Sequence, residues 1–349
     1  MPAWASSSDS LAPSVADGSV LRARVGPFEP GGRAIPVRSV GDRGRFGGGR
    51  SQVAAYLLAM PRATRSPSEP RGLVVAALPM DVVRGDAERN AATAIAGIER
   101  AAQSGAQLIV LPEVWASSFP AEQDDLDARY EADASARSRV DAAARELGVV
   151  VAGSTLARAA DGRPYNRFEV LGLGDETATA RTRYNKAHLF TPTAEHLTFA
   201  PGESAPRVFD GPRASDGAPA RLAPAICYDL RFGALLTPLA RAGVEVLVVP
   251  AQWPVTRAAH WRALVLGRAV ELQCCVVACN RSGRETVGRR GLELEFAGNA
   301  IVASPDGEVL AEGDGSGEPV VAELDLARVA RLRREVPVQR DARELGPAS

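Results

Sequence analysis

The sequence is poor in the residues that would commit it to several common classes. It has four cysteines and three histidines in 349 residues. Four cysteines are too few for a disulfide scaffold in a chain this long. They are Cys227, Cys274, Cys275 and Cys279, and the last three fall in or beside the apolar run 270–278, where they read as core thiols. The histidines, His188, His196 and His260, stand at no zinc-ligand spacing, so no metal site is expected. A charge excess is also lacking: 41 Lys and Arg against 42 Asp and Glu leave a formal net charge of -1. That balance gives no electrostatic reason to expect nucleic acid or an anionic membrane as partner. No apolar run approaches the roughly 20 residues that span a bilayer. What remains is ordinary globular composition, 46% hydrophobic and 24% charged. The reducing cytoplasm is the simplest location.

Residues 1–71 differ from the rest. They are rich in Ser, Gly, Pro, Arg and Ala and lack a sustained apolar period, apart from a short patch, Val53 to Met60. Such a segment cannot bury enough surface to offset its ordering entropy, and it reads as a disordered extension. Its long charged start and late, short apolar patch fit a signal peptide poorly.

Residues 72–345 read as one domain. Leu73 to Leu78 and Leu108 to Leu111 are short apolar runs, expected as buried strands. Between them Asp86 caps a helix to Ser104, with Ala87, Ala91, Ala94, Ile95 and Ile98 on one face. A second helix is expected over Ser135 to Leu147 and a third strand over Val149 to Ala152. Phe168 to Leu173 and Thr177 to Tyr184 flank a turn and suggest a hairpin. Further strands are expected at Leu222–Ile226, Val244–Val249 and Cys275–Ala278, with helices at Gly233–Ala242 and Thr256–Gln273. A hairpin around Pro305-Asp-Gly307, a strand at Val320–Leu324 and a helix at Leu326–Arg334 complete the pattern. Repeated strand–helix units interleaved with hairpins predict a layered α/β sandwich.

Three polar residues stand where buried strands end. Glu113 follows Leu108-Ile-Val-Leu-Pro112. A carboxylate at the tip of an apolar strand is placed to take a proton, although acidic residues also simply begin loops. Lys186 lies in Tyr184-Asn-Lys-Ala-His-Leu-Phe190. It reads either as a cation aimed at developing negative charge or as a snorkelling surface lysine. Cys227 follows Leu222-Ala-Pro-Ala-Ile226 and precedes a helix. That resembles a nucleophile elbow, whose following N–H groups hold an oxyanion; a buried structural cysteine fits the same pattern.

Together, in the order Glu, Lys, Cys, these segments resemble the three signature blocks of the nitrilase-like carbon–nitrogen hydrolase superfamily. Phe199-Ala-Pro-Gly202, Pro250-Ala-Gln-Trp253, His260-Trp261 and Arg268-Ala-Val-Glu271 extend the resemblance, which runs from about Leu73 to Arg343. It implies a four-layer α-β-β-α sandwich, paired into a homodimer or larger oligomer, with no metal or organic cofactor. It implies that Glu113 is the base, Cys227 the nucleophile, and Lys186 with the Tyr228 backbone N–H the oxyanion donors. Glu195 matches a second glutamate of many relatives and would orient Lys186 or the substrate.

Within the superfamily the chain is most similar to the omega-amidases, which release ammonia from 2-oxoglutaramate and 2-oxosuccinamate. The expected partner is therefore a small-molecule amide, met by Tyr228, Arg257, Trp253 and Phe119. Arg257 or Arg231 would clamp a free carboxylate. A deaminated-glutathione amidase shares these blocks, and a non-catalytic dimeric scaffold is the remote alternative. Gly233-Ala234, Gln252, Ala300 and the polar loop 211–221 depart from the usual pattern and bear on pocket shape.

Overall fold

The structure, a computed structural model, describes residues 71–121, 124–287 and 291–343. The expected extension and its apolar patch lie outside these residues, except for Arg71. Arg71 is tied to the folded unit, with Nε 2.8 Å from Asp216 and Nη1 bonded to Glu245.

Two six-stranded sheets form the centre. The first contains β1 (Gly72–Ala77), β2 (Leu108–Val110), β3 (Val150–Arg158), β4 (Pro164–Leu171), β5 (Tyr184–Asn185) and β14 (Val320–Asp325), in the order β14-β1-β2-β3-β4-β5. The second contains β6 (Phe209–Arg213), β7 (Pro219–Pro224), β8 (Val246–Ala251), β9 (Cys275–Asn280), β12 (Ile301–Ala303) and β13 (Val309–Glu312), in the order β13-β12-β9-β8-β7-β6. A separate hairpin joins β10 (Ser282–Val287) to β11 (Leu292–Ala297). Each large sheet has a parallel middle, β1-β2-β3 or β7-β8-β9, with antiparallel strands outside it.

Alternation along the strands sorts side chains into layers. Val75 and Val110 join the core between the sheets. Their neighbours Ala76 and Ile109 pack instead with α1 (Ala87–Gln103) and α2 (Leu126–Leu147) on the outer face. On the second sheet α5 (Gly233–Arg241) and α6 (Ala258–Leu272) contribute Leu236, Leu239, Trp261 and Val265. The result is the four-layer α-β-β-α sandwich. Among the described residues no helix is long and apolar enough to cross a membrane.

Three expectations need correction. Thr177 to Tyr184 is not the second strand of a hairpin: Glu176–Thr182 is a helix, α3, capped by Asp175, whose side chain accepts from the Ala178 N–H at 2.7 Å. Local capping outweighed the alternation. The polar segment 211–221 is no simple loop, since β6 and β7 pair across it.

Finally, α2 starts at Leu126 rather than Ser135, capped by Asp125. Its first half carries no apolar stripe because its inward residues are Arg129 and Asp133. The Arg129 guanidinium donates to the carbonyls of Ser117 and Ser118 at 2.8 and 2.9 Å, clamping the loop after Glu113.

Asp133 gives this clamp a pH dependence. Burial pushes its carboxyl up to about 6, against hydrogen bonds from Ser117 Oγ and from the Leu156 N–H at 3.0 Å. The folded value lies above the ordinary value of about 3.9. Its contribution to stability is therefore full below about pH 4 and lost as pH rises through about 6. Asp133→Asn keeps the acceptor for Leu156 and removes the titration. Urea melts are expected to show the variant gaining on wild type by about 2–3 kcal/mol between about pH 4 and 7. A constant difference across that range would remove Asp133 as the titrating group.

Candidate active site

Glu113 lies just beyond the carboxyl end of β2, Cys227 beyond β7 and Gln252 beyond β8. Ligands of open α/β sheets gather at strand carboxyl ends. Here they surround a cavity of about 780 Å³, within the usual range for small-molecule sites of roughly 300–1,000 Å³. Glu113, Lys186, Glu195 and Cys227 all line it.

Glu113, Lys186 and Glu195 form one buried charge cluster. Lys186 Nζ donates to Glu113 Oε1 at 2.7 Å and to both Glu195 oxygens at 2.9 Å. Glu113 Oε1 also accepts from Asn166 Nδ2 at 2.7 Å, and its Oε2 accepts from the Gln252 N–H at 2.9 Å. Glu195 opens the short helix α4 (Glu195–Thr198), and its Oε2 takes the Phe190 N–H at 2.6 Å. Burial alone would lower the Lys186 pKa, but the charges of Glu113 and Glu195 outweigh it and hold the group well above its usual value. Lys186 is therefore a cation at neutral pH. Burial raises the Glu195 pKa, Glu113 adds to the rise, and Lys186 opposes it. The Cys227 thiol is pushed far up, first by burial and then by Glu113, with Lys186 opposing. At rest it is a thiol, with Sγ 3.9 Å from the Gln252 carbonyl.

The backbone at Cys227 is strained. Its φ is 45°, in the left-handed region, at the start of a 3₁₀ turn over Cys227–Arg231. A non-glycine residue holds that conformation only when its surroundings impose it. Asp229 supplies the restraint. Fully buried, it accepts from the Ile226 N–H at 3.1 Å, the Tyr184 hydroxyl at 2.9 Å and the His188 N–H at 3.1 Å. It thus ties the cysteine turn to the lysine segment. His188 in turn stacks on Phe232 with ring centroids 3.5 Å apart. On the other side of Lys186, the Gly202 N–H donates to the Lys186 carbonyl at 2.8 Å. A Cβ at Gly202 would come within 2.0 Å of the Asn185 carbonyl oxygen, so only glycine permits this approach.

Residues 74–334 match the family model described as carbon-nitrogen hydrolase. The chain belongs to the carbon–nitrogen hydrolase family. A 2-oxoglutaramate amidase of Bacillus subtilis is 33% identical over 272 residues, covering 77% of this chain and 97% of that protein. An omega-amidase of Escherichia coli is 32% identical over 248 residues, covering 69% and 86%. The fold matches a carbon-nitrogen hydrolase from Helicobacter pylori with TM-score 0.69 at 22% identity, over 78% of this chain and 96% of that one. A nitrilase-superfamily member from Saccharomyces cerevisiae matches with TM-score 0.62 at 23% identity, over 77% and 95%. The protein is an enzyme, a carbon–nitrogen hydrolase of the amidase type.

The expected substrate contacts of this hydrolase are placed unevenly. Phe119 lines the cavity, edge-on to Phe199 at 5.6 Å. Tyr228, Trp253 and Arg257 are not among its lining residues. Tyr228 packs edge-on to Phe190 and Phe232, and buried Trp253 donates its Nε1–H to the Arg257 carbonyl at 2.9 Å. The Arg257 guanidinium lies 5.7 Å from the Phe190 ring centroid. Arg231 sits over Trp253 and bonds His260 Nδ1 at 3.1 Å. Among the described residues, the guanidinium groups that line the cavity are Arg84, held by Glu285 at 2.7 Å, and Arg163, held by Asp161 at 2.7 Å.

Asn166 was missed as a site residue. Its signal was a polar residue in register with the inward-facing Phe168 and Val170, readable only once β4 is placed.

Proposed function

We propose that this hydrolase releases ammonia from a small carboxylate-bearing amide, 2-oxoglutaramate or 2-oxosuccinamate, through a Cys227 thioester. The observation that carries the reading is one buried cation, Lys186, held between two carboxylates on the wall where strained Cys227 turns out of its strand. The relatives named 2-oxoglutaramate amidase and omega-amidase support the substrate class.

Glu113 takes the Cys227 thiol proton as the thiolate attacks the amide carbonyl carbon. The new C–S bond forms while the carbonyl π pair moves onto oxygen. Lys186 and the Tyr228 N–H, at the unpaired start of the 3₁₀ turn, face that charge. Collapse breaks the C–N bond, and Glu113 returns its proton to the leaving amine, which departs as ammonia. Water then attacks the thioester, again giving a proton to Glu113. The C–S bond breaks, Cys227 recovers its proton, and the carboxylic acid leaves. Glu195 holds Lys186 in place throughout.

The substrate carboxylate meets a cation on the cavity wall, and Arg84 is the one we assign. Arg84→Gln is expected to raise KM for 2-oxoglutaramate by about tenfold or more with kcat little changed, since a charged hydrogen bond contributes about 1.5–3 kcal/mol. The same change on Arg257 is expected to leave KM unmoved. The reverse result would return the clamp to Arg257.

The cavity volume favours a second reading, because it is large enough for deaminated glutathione as well. Ammonia release from 2-oxoglutaramate and from a simple aliphatic amide, set against release of cysteinylglycine from deaminated glutathione, whose amide nitrogen belongs to that dipeptide, decides between them. A preference for the aliphatic amide would remove the carboxylate from the proposal.

A further inference from the structure

Arg281, just after β9, is fully buried and has no part in the mechanism above. Its Nε donates to the Ser282 carbonyl at 3.1 Å, and its Nη2 to the Val82 carbonyl at 2.6 Å and to Asp81 at 3.1 Å. Nη1 bonds Glu285, reaches Gln252 Oε1 at 3.0 Å and approaches Ser118 Oγ at 3.4 Å. The Phe296 ring lies 4.7 Å from the guanidinium carbon. The group is thus held from all sides.

A guanidinium can only donate. The Gln252 carboxamide must therefore present its oxygen to Arg281, and its nitrogen then faces the other way. That nitrogen donates to the Glu113 backbone carbonyl at 2.7 Å. The same residue's backbone N–H donates to the Glu113 carboxylate at 2.9 Å. Glu113 needs holding, because Val114 after it has φ of 45°, strained for a β-branched residue. Ser154 Oγ accepts the Val114 N–H at 2.9 Å on one side of that peptide, and Gln252 grips the other. A flipped carboxamide would set oxygen against oxygen at the Glu113 carbonyl.

We propose that Arg281 is a positioning residue for the base: by fixing the orientation of the Gln252 carboxamide it keeps Glu113 aligned with Cys227 and Lys186. The inference rests on the role given to Glu113 above. It does not depend on which amide is the substrate.

The test uses the full chain. Arg281→Met alone leaves Glu285 buried beside no Arg281 charge and is open to misfolding, so it is combined with Glu285→Gln and compared with Glu285→Gln alone. Three quantities are read: thermal melting, kcat and KM for ammonia release, and the rate at which iodoacetamide alkylates Cys227. Adding Arg281→Met is expected to slow both kcat and alkylation by about ten- to a hundredfold, as a displaced catalytic group does. KM is expected to stay within about threefold. Gln252→Met, which leaves Arg281 paired with Glu285 and Asp81, is expected to give the same joint loss. Alkylation and kcat within twofold of their references in either folded variant would overturn the proposal. Failure of the mechanism itself shows separately, as wild-type Cys227 that iodoacetamide does not touch.

Discussion

The Cys227→Ala variant is expected to fold as wild type does and to lose ammonia release by at least about 10⁴-fold. The substitution removes only a sulfur from a residue already buried, and alanine tolerates the left-handed turn no worse than cysteine. The loss follows from having no replacement. Cys274, Cys275 and Cys279 are buried in or beside β9, away from the cavity lining. Burial pushes the Cys274 thiol up to about 12 and raises the other two as well. The Cys227 thiol is also raised, so in the proposed mechanism it takes its nucleophilicity from Glu113 at the moment of attack rather than as a standing thiolate. Intact-mass spectrometry of wild type mixed with substrate should then catch an acyl adduct, absent in the variant. A variant that still releases ammonia at a tenth of the wild-type rate would assign the chemistry to another group.

Much of this site could be read from the chain because its chemistry sits at the ends of apolar strands. Leu108-Ile-Val-Leu111 and Leu222 to Ile226 are legible as strands from hydrophobicity alone, and Glu113 and Cys227 are the polar residues that follow. The supporting groups are another matter. Asn166, Gln252 and Arg281 meet the residues they support from far away in sequence, so nothing local marks that role. Gln252 meets Glu113 across 139 positions, and Arg281 meets Val82 across 199. The α2 helix shows the same limit at the level of secondary structure. The inward face of its first half carries Arg129 and Asp133, which hold the loop after Glu113, while Ala136, Val140 and Ala144 further along fill the core, so apolar periodicity alone starts the helix too late. The hairpin expected at 168–184 failed for a different reason: the Asp175 cap is a local signal, and it was stronger than the alternation weighed against it. Arg257, expected as a clamp, is not among the lining residues; its guanidinium lies 5.7 Å from the ring of Phe190, which does line the cavity.

Lys186 links the two kinds of residue, and replacing it should cost much stability as well as activity. Lys186→Met keeps the volume and removes the charge. Glu113 and Glu195, which share that ammonium at 2.7 and 2.9 Å, are left facing each other without it. Breaking a buried pair from one side costs about 3–5 kcal/mol, and here two carboxylates lose their partner together. Activity is expected to fall by about 10³-fold or more, since the developing oxyanion loses its charged donor.

The pH dependence separates the two consequences. Burial and the Glu113 charge already raise the Glu195 carboxyl against Lys186; without that ammonium Glu195 binds a proton in the folded state that it would release when unfolded. A folded value above the unfolded one gives stability that is present at low pH and lost as pH rises. The deficit against wild type should therefore be smaller at about pH 5 than at about pH 8. Wild type does not share this trend through Lys186, whose raised pKa makes its contribution constant until pH passes its unfolded value of about 10.4. Adding Glu195→Gln removes the repulsion, because glutamine still accepts the Phe190 N–H. The double variant should recover most of the stability and none of the activity. Recovery of both would make Lys186 a structural ion and leave the oxyanion to the backbone N–H groups alone; recovery of neither would mean that the carboxylate pair is not what the lysine stabilises.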